Sequence, residues 1–168
     1  MKKMRYAVVV SSKTGNTEQI AREIPRVFDD KDCLYFGKPD EQALKADRLF
    51  VGFWTDKGTC DEETAAFLKT VTKQEVFLFG TAGFGGSPEY YEKIMNATKE
   101  NLGKDAKVIG TFMCQGKMPA AVKERYLKMK DSPEKAPNLD ALIENFDKAL
   151  THPDRKDLAD MTSALKAM

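Results

Sequence analysis

One histidine and three cysteines are all that the 168 residues provide of the softer metal ligands and strong nucleophiles. That scarcity narrows the chemistry. Cys33, Cys60 and Cys114 are odd in number and never fall in a C-x-x-C pair, so neither a disulfide framework nor a zinc or dithiol site is expected. None is followed by an arginine at tyrosine-phosphatase spacing, and His152, before Pro153, is remote from Cys114. No stretch approaches the roughly 18 apolar residues needed to cross a bilayer. The apolar start, Met1 to Val10, stops at polar Ser11 with no small-residue cleavage site, so no secretory leader is expected and the chain is assigned to the cytoplasm. Net charge is +1, and no basic stripe offers to neutralise a row of phosphates, which argues against a nucleic-acid partner.

What is present is an ordinary globular composition, with 32% charged and 42% hydrophobic residues, and a length that suits one main fold. β-branched apolar runs at Met4–Val10, Leu49–Trp54, Glu75–Thr81 and Lys107–Cys114 read as buried strands, with a short edge strand at Cys33–Phe36. Helical patterns fall between and after them: Thr14–Phe28, kinked or shortened by Pro25; Asp61–Val71 with Asp61 as N-cap; a helix opening at Ser87-Pro88; Ala120–Met129; and Asn138–Leu150. Lys130 to Pro137 reads as a polar loop. Leu158, Met161 and Leu165 predict one more helix, lying across the domain or on a second subunit. Strands alternating with helices imply parallel crossovers and an α/β fold. In such sheets ligands collect beyond the carboxyl ends of the strands.

The loops at those ends are therefore the candidate site. Ser12-Lys13-Thr14-Gly15-Asn16-Thr17 joins the first strand to a helix N-terminus, offering hydroxyls, an amide and unpaired N–H groups to a phosphate. The G-x-x-x-x-G-K-[ST] pattern is absent. Trp54-Thr55-Asp56-Lys57-Gly58 carries the single tryptophan, and Thr81-Ala82-Gly83-Phe84-Gly85-Gly86-Ser87 sets three glycines around one aromatic. Glycines there let backbone approach a ligand edge closely. A fourth turn, Gln115 to Pro119, is less telling.

The hexad S-x-T-G-N-T directly after the first strand, continuing through Glu18, closely resembles the FMN-phosphate loop of the flavodoxin family. The strand–helix order supports that resemblance over about residues 4 to 150. It implies a flavodoxin-like doubly wound fold, a five-stranded parallel sheet of order 2-1-3-4-5 with helices on both faces. The expected domain is 1–150, with 151–168 as a C-terminal helical extension. FMN is the implied cofactor, its phosphate held by Ser12, Lys13, Thr14, Gly15, Asn16 and Thr17. Trp54, Thr55, Asp56, Lys57 and Gly58 would flank one side of the isoalloxazine, and Thr81, Ala82, Gly83, Phe84 and Gly85 the other. A ring stacked on Trp54 gains about 0.5–1.5 kcal/mol beyond burial.

The same resemblance implies an electron carrier meeting a redox partner protein, such as a tetrapyrrole reductase or another oxidoreductase; no catalytic residue is then needed. Two features depart from the family. Phe84 stands where tyrosine is common, and the chain is nearly neutral where flavodoxins are acidic, so Lys57 or Lys117 near the ring would favour reduced flavin. The lysine-rich stretch Lys117 to Lys135 would suit an acidic partner. An FMN-dependent NAD(P)H:quinone-type reductase is the alternative, although no G-x-G-x-x-G fingerprint is present. A phosphorylatable receiver would use Asp56 and Lys117, yet Ser11 and Ser12 occupy the place of the carboxylates that Mg²⁺ requires.

Overall fold

A computed structural model describes residues 4–84, 87–131 and 138–168. Its strands are β1 (Tyr6–Val10), β2 (Cys33–Gly37), β3 (Arg48–Asp56), a two-residue β4 (Thr59–Cys60), β5 (Glu75–Ala82) and β6 (Lys107–Gln115). Its helices are α1 (Asn16–Ala21), α2 (Ile24–Val27), α3 (Glu62–Leu68), α4 (Pro88–Lys99), α5 (Ala120–Lys130), α6 (Leu139–Ala149) and α7 (Arg155–Lys166). The sheet order is β2-β1-β3-β5-β6, with β4 paired to β3 alone. Every pairing but that last one is parallel. The five long strands thus follow the expected order 2-1-3-4-5.

Side-chain alternation divides the core in two. Ala7, Val9, Leu49, Val51, Phe53, Val76 and Leu78 enter one cluster, while Tyr6, Val8, Val10, Phe50, Phe77 and Phe79 enter the other, as period-two strands require. The first face is covered by Phe67 and Leu68 of α3 and by Ile94 and Met95 of α4. Ile20 and Ile24, from α1 and α2, cover the second together with Met161 and Leu165 of α7. Phe50, Phe53, Phe77 and Phe79 are wholly buried, each worth about 1.5–3 kcal/mol by burial. Edge strand β2 pairs with β1 only, as its brevity predicted.

Helix α7 packs on β6 and α2 of its own chain. Helices α5 and α6 pack on one another through Tyr126, Leu139 and Phe146, between the last strand and α7 in sequence. Asp61 accepts from the Thr64 N–H at 3.1 Å, and Ser87 from the Tyr90 N–H at 3.3 Å with Pro88 next to it. Both caps match expectation.

Two segments differ from the sequence pattern. The helix predicted over 14–28 is two helices, because Gly15 at φ 87° delays the start to Asn16 and Pro25 lies in the first turn of α2, where its missing N–H is harmless. Residues 55–60, predicted as an open loop, form a hairpin instead. Thr55 pairs with Cys60 and Asp56 with Thr59, while Lys57 at φ 53° and Gly58 at φ 84° make the two-residue turn. Positive φ at both central positions matches the twist of the flanking strands. Gly85 and Gly86, and the part of the predicted polar loop at 132–137, lie outside the described residues.

Candidate functional site

Beyond the carboxyl ends of β1, β3, β5 and β6 lies a cleft of about 140 Å³, at a place where ligands collect in parallel α/β sheets. From the first loop Lys13, Thr14, Asn16 and Thr17 line it; from the second, Trp54 and Thr55; from the third, Thr81, Ala82 and Gly83. Ser12, Gly15, Asp56, Lys57, Gly58 and Phe84 are not on its lining. Gly85 is outside the described residues.

The first loop divides its polar groups between scaffold and cleft. Ser12 Oγ accepts from the N–H groups of Gly15 at 3.1 Å and Glu18 at 3.4 Å, so it holds the turn. Thr17 is fully buried; its hydroxyl bonds the Phe53 carbonyl at 3.1 Å and lies 3.0 Å from the Thr81 hydroxyl. A phosphate oxygen would compete with both for that hydroxyl. Thr14 is half-buried on the lining. Asn16 Nδ2 donates to the Lys117 carbonyl at 2.8 Å, and Asn16 Oδ1, also buried, has no partner among the described residues.

Trp54 is half-buried where β3 runs into the hairpin. The Lys13 ammonium stands 5.0 Å from its ring centroid, inside the range of a cation–π contact. Thr55 Oγ donates to the Thr81 carbonyl at 2.9 Å and ties the hairpin to β5. Phe84 is 40% exposed, off the cleft wall.

The fourth turn contributes more than its sequence announced. Gly116, Lys117, Met118 and Pro119 all line the cleft. The Gly116 N–H donates to the Ala82 carbonyl at 2.9 Å, and the Lys117 N–H to the His152 carbonyl at 2.9 Å. A Cβ on Gly116 would meet Asn16 Nδ2 at 2.5 Å, so glycine is needed for that approach. Gln115 Nε2 donates to the Gly83 carbonyl at 3.0 Å and to Asn145 Oδ1 at 3.2 Å. The only signal for these residues was their place after a strand; nothing local in the sequence pairs Gln115 with Asn145.

The charged residues on the lining are Lys13 and Lys117, with no carboxylate among the described ones. Ammonium, hydroxyl and first-turn N–H donors suit a phosphate. Asn16 Oδ1, a buried acceptor without a donor, suits a ligand that also brings hydroxyls. FMN brings both, through its phosphate and ribityl chain, so the residues present fit it. Burial pushes the Cys114 thiol well up, with Asp157, Asp154 and Asp160 adding to it, so it is no thiolate nucleophile. His152 Nδ1 lies 2.6 Å from Asp157 Oδ2, within the capping box that Asp154 and Asp157 build at the start of α7. No helix among the described residues is long and apolar enough to cross a membrane.

A flavodoxin domain profile matches residues 7–166. A flavodoxin-like domain-containing protein, BilS of Clostridium symbiosum, is 39% identical over 173 aligned positions, covering 93% of this chain and 91% of that protein. Among solved structures, oxidised flavodoxin 2 of Bacillus cereus shares the fold at a TM-score of 0.53 and 18% identity, over 86% of this chain and 98% of its own. A Lactobacillus acidophilus flavoprotein solved with FMN does so at 0.52 and 14% identity, over 67% and 94%. The chain belongs to the flavodoxin domain family, and FMN is its cofactor.

Proposed function

We propose that this protein is an electron carrier that receives electrons from one oxidoreductase and hands them to another through bound FMN. The observation that carries this reading is the make-up of the cleft: donors for an anion, an aromatic wall at Trp54, and no carboxylate, thiolate or histidine on the described lining. A carrier needs binding and exposure of a ring edge, and no general acid or base. Bound FMN supplies reversible one- and two-electron chemistry. Thr14 and Lys13 bind its phosphate, the first turn of α1 contributes N–H groups, and Asn16 Oδ1 accepts from a ribityl hydroxyl. Trp54 covers one ring face and keeps water from it. Gly83 brings main chain to the opposite edge, held there by Gln115 and Asn145. Three unpaired cysteines suit work in the cytoplasm, where thiols stay reduced.

The test is a titration of colourless protein with FMN, followed by photoreduction and mixing with one-electron acceptors. Saturable uptake at micromolar FMN, and slow NADPH oxidation without an added partner, are expected. Fast NADPH turnover by the FMN-loaded protein alone would point to a reductase instead.

A further inference from the structure

The FMN cleft has a neighbour. A second cleft of about 280 Å³ is lined by Ser11, Ser12, Lys13, Lys38, Trp54 and Glu63, so Lys13 and Trp54 belong to both. Trp54 thereby stands between the FMN cleft and the outside. The charged groups of the two clefts are Lys13, Lys38 and Lys117 against the single carboxylate of Glu63. All three lysines are exposed, and none forms an ion pair with a described residue. Arg22, Arg48, Lys123, Lys148 and Lys156 each do. Three ammonium groups thus face one carboxylate on the linings of the two clefts, with the buried Asp61 carboxylate behind Ser11, whose hydroxyl donates to it at 2.7 Å.

We infer that the outer cleft and its lysines are the docking seat for an acidic surface of a redox partner protein, set across the Trp54 ring from bound FMN. The inference rests on the electron-carrier reading. The lysines come from three separate turns, after β1, β2 and β6, so the matching ligand is an array of carboxylates rather than a single one. Opposite charge on the two surfaces steers encounter and fixes orientation. Each encounter passes one electron from reduced flavin to an oxidised centre in the partner. Two encounters return the cofactor to its oxidised form and release two protons to solvent.

The experiment oxidises photoreduced, FMN-loaded protein by stopped flow with two one-electron probes, anionic ferricyanide and cationic hexaammineruthenium(III). Between roughly 20 mM and roughly 500 mM salt the ferricyanide rate should fall about tenfold and the ruthenium rate should rise. Lys38→Glu should weaken the ferricyanide dependence, with Lys38→Gln between it and wild type. Neither should change FMN uptake, because Lys38 lines the outer cleft only. An octaglutamate peptide should slow ferricyanide at far lower carboxylate concentration than acetate. Equal salt responses of the two probes, or acetate matching the peptide, would overturn the inference. Should the protein take up no FMN, the carrier reading fails. Collisional quenching of Trp54 in the apoprotein then decides the charge by itself: iodide quenching several times better than caesium supports a cationic seat, and equal quenching refutes it.

Discussion

Asn145 of α6 donates from Nδ2 to the carbonyl oxygen of Gly83 at 3.0 Å, across 62 residues of sequence. The same oxygen accepts from Gln115 Nε2 at 3.0 Å. With both lone pairs engaged, the Gly83–Phe84 peptide is fixed, and the N–H of Phe84, antiparallel to that carbonyl in a trans peptide, is fixed with it. Asn145 of α6 and Gln115 of β6 thus orient the glycine-rich turn. Asn145→Ala removes two of the three bonds of this network, to the Gly83 carbonyl and from Gln115 Nε2, which costs about 2 kcal/mol and lowers Tm by about 4–8 °C. FMN and riboflavin affinities should fall together, by about fivefold, because the ring edge and not the phosphate is disturbed. Flavin-fluorescence titrations of both ligands check this; a loss confined to FMN would contradict it.

The two threonines of the hexad should separate. Thr17 donates its hydroxyl to the buried Phe53 carbonyl, so Thr17→Ala removes a buried hydrogen bond and costs about 1 kcal/mol of stability. Thr14 lies half-buried on the cleft. Thr14→Ala should leave urea unfolding of the apoprotein unchanged within about 0.5 kcal/mol, and weaken FMN far more than riboflavin. Equal losses for the two ligands would remove Thr14 from the phosphate.

Gly116→Ala tests the closeness of the fourth turn. The added carbon would sit 2.5 Å from Asn16 Nδ2 and 2.9 Å from its Cγ, forcing Asn16 off the Lys117 carbonyl. Overpacking of this kind costs about 1–3 kcal/mol. Apoprotein stability and FMN affinity should both fall, and Asn16→Ala combined with Gly116→Ala should recover part of the stability. Thermal melts of the two single variants and the pair measure the coupling.

Local signals carried far in this chain, and distant ones did not. The buried strands announced themselves as β-branched runs, and Asp61 and Ser87 as caps, because their partners lie three residues on. The turn that holds the hexad could be placed for the same reason, since it directly follows the first strand. The role of Thr17 was not legible, since its partner Phe53 is 36 residues away. Nor was the bond between Gln115 and Asn145, 30 residues apart, where an amide in a helix has no local mark. The β3–β4 hairpin escaped because Lys57-Gly58 lacks the asparagine or aspartate that usually precedes glycine in such a turn. The break after α1 needed Gly15 and Pro25 to be weighed together, each of which alone only shortens a helix.

The thiols give a pH dependence whose sign is set by burial. Cys60 and Cys114 are buried and Cys33 half-buried, all free of disulfides, and desolvation pushes each thiol up from its ordinary value. A group raised in the folded state stabilises fully below its unfolded pKa, about 8.5 for a thiol, and that contribution is lost as pH climbs from there toward the folded value. Unfolding free energy should therefore hold steady between about pH 7 and 8 and decline between about 8.5 and 10. Cys114→Ala should flatten part of that decline, because Cys114 carries the strongest desolvation of the three and three nearby aspartates besides. The accompanying measurement is thiol labelling at about pH 8: Ellman's reagent should react slowly with all three cysteines of the folded protein and quickly with all three in denaturant. A native thiol that reacts at the unfolded rate would show that its sulfur is not shielded, and would remove the stated origin of the alkaline decline.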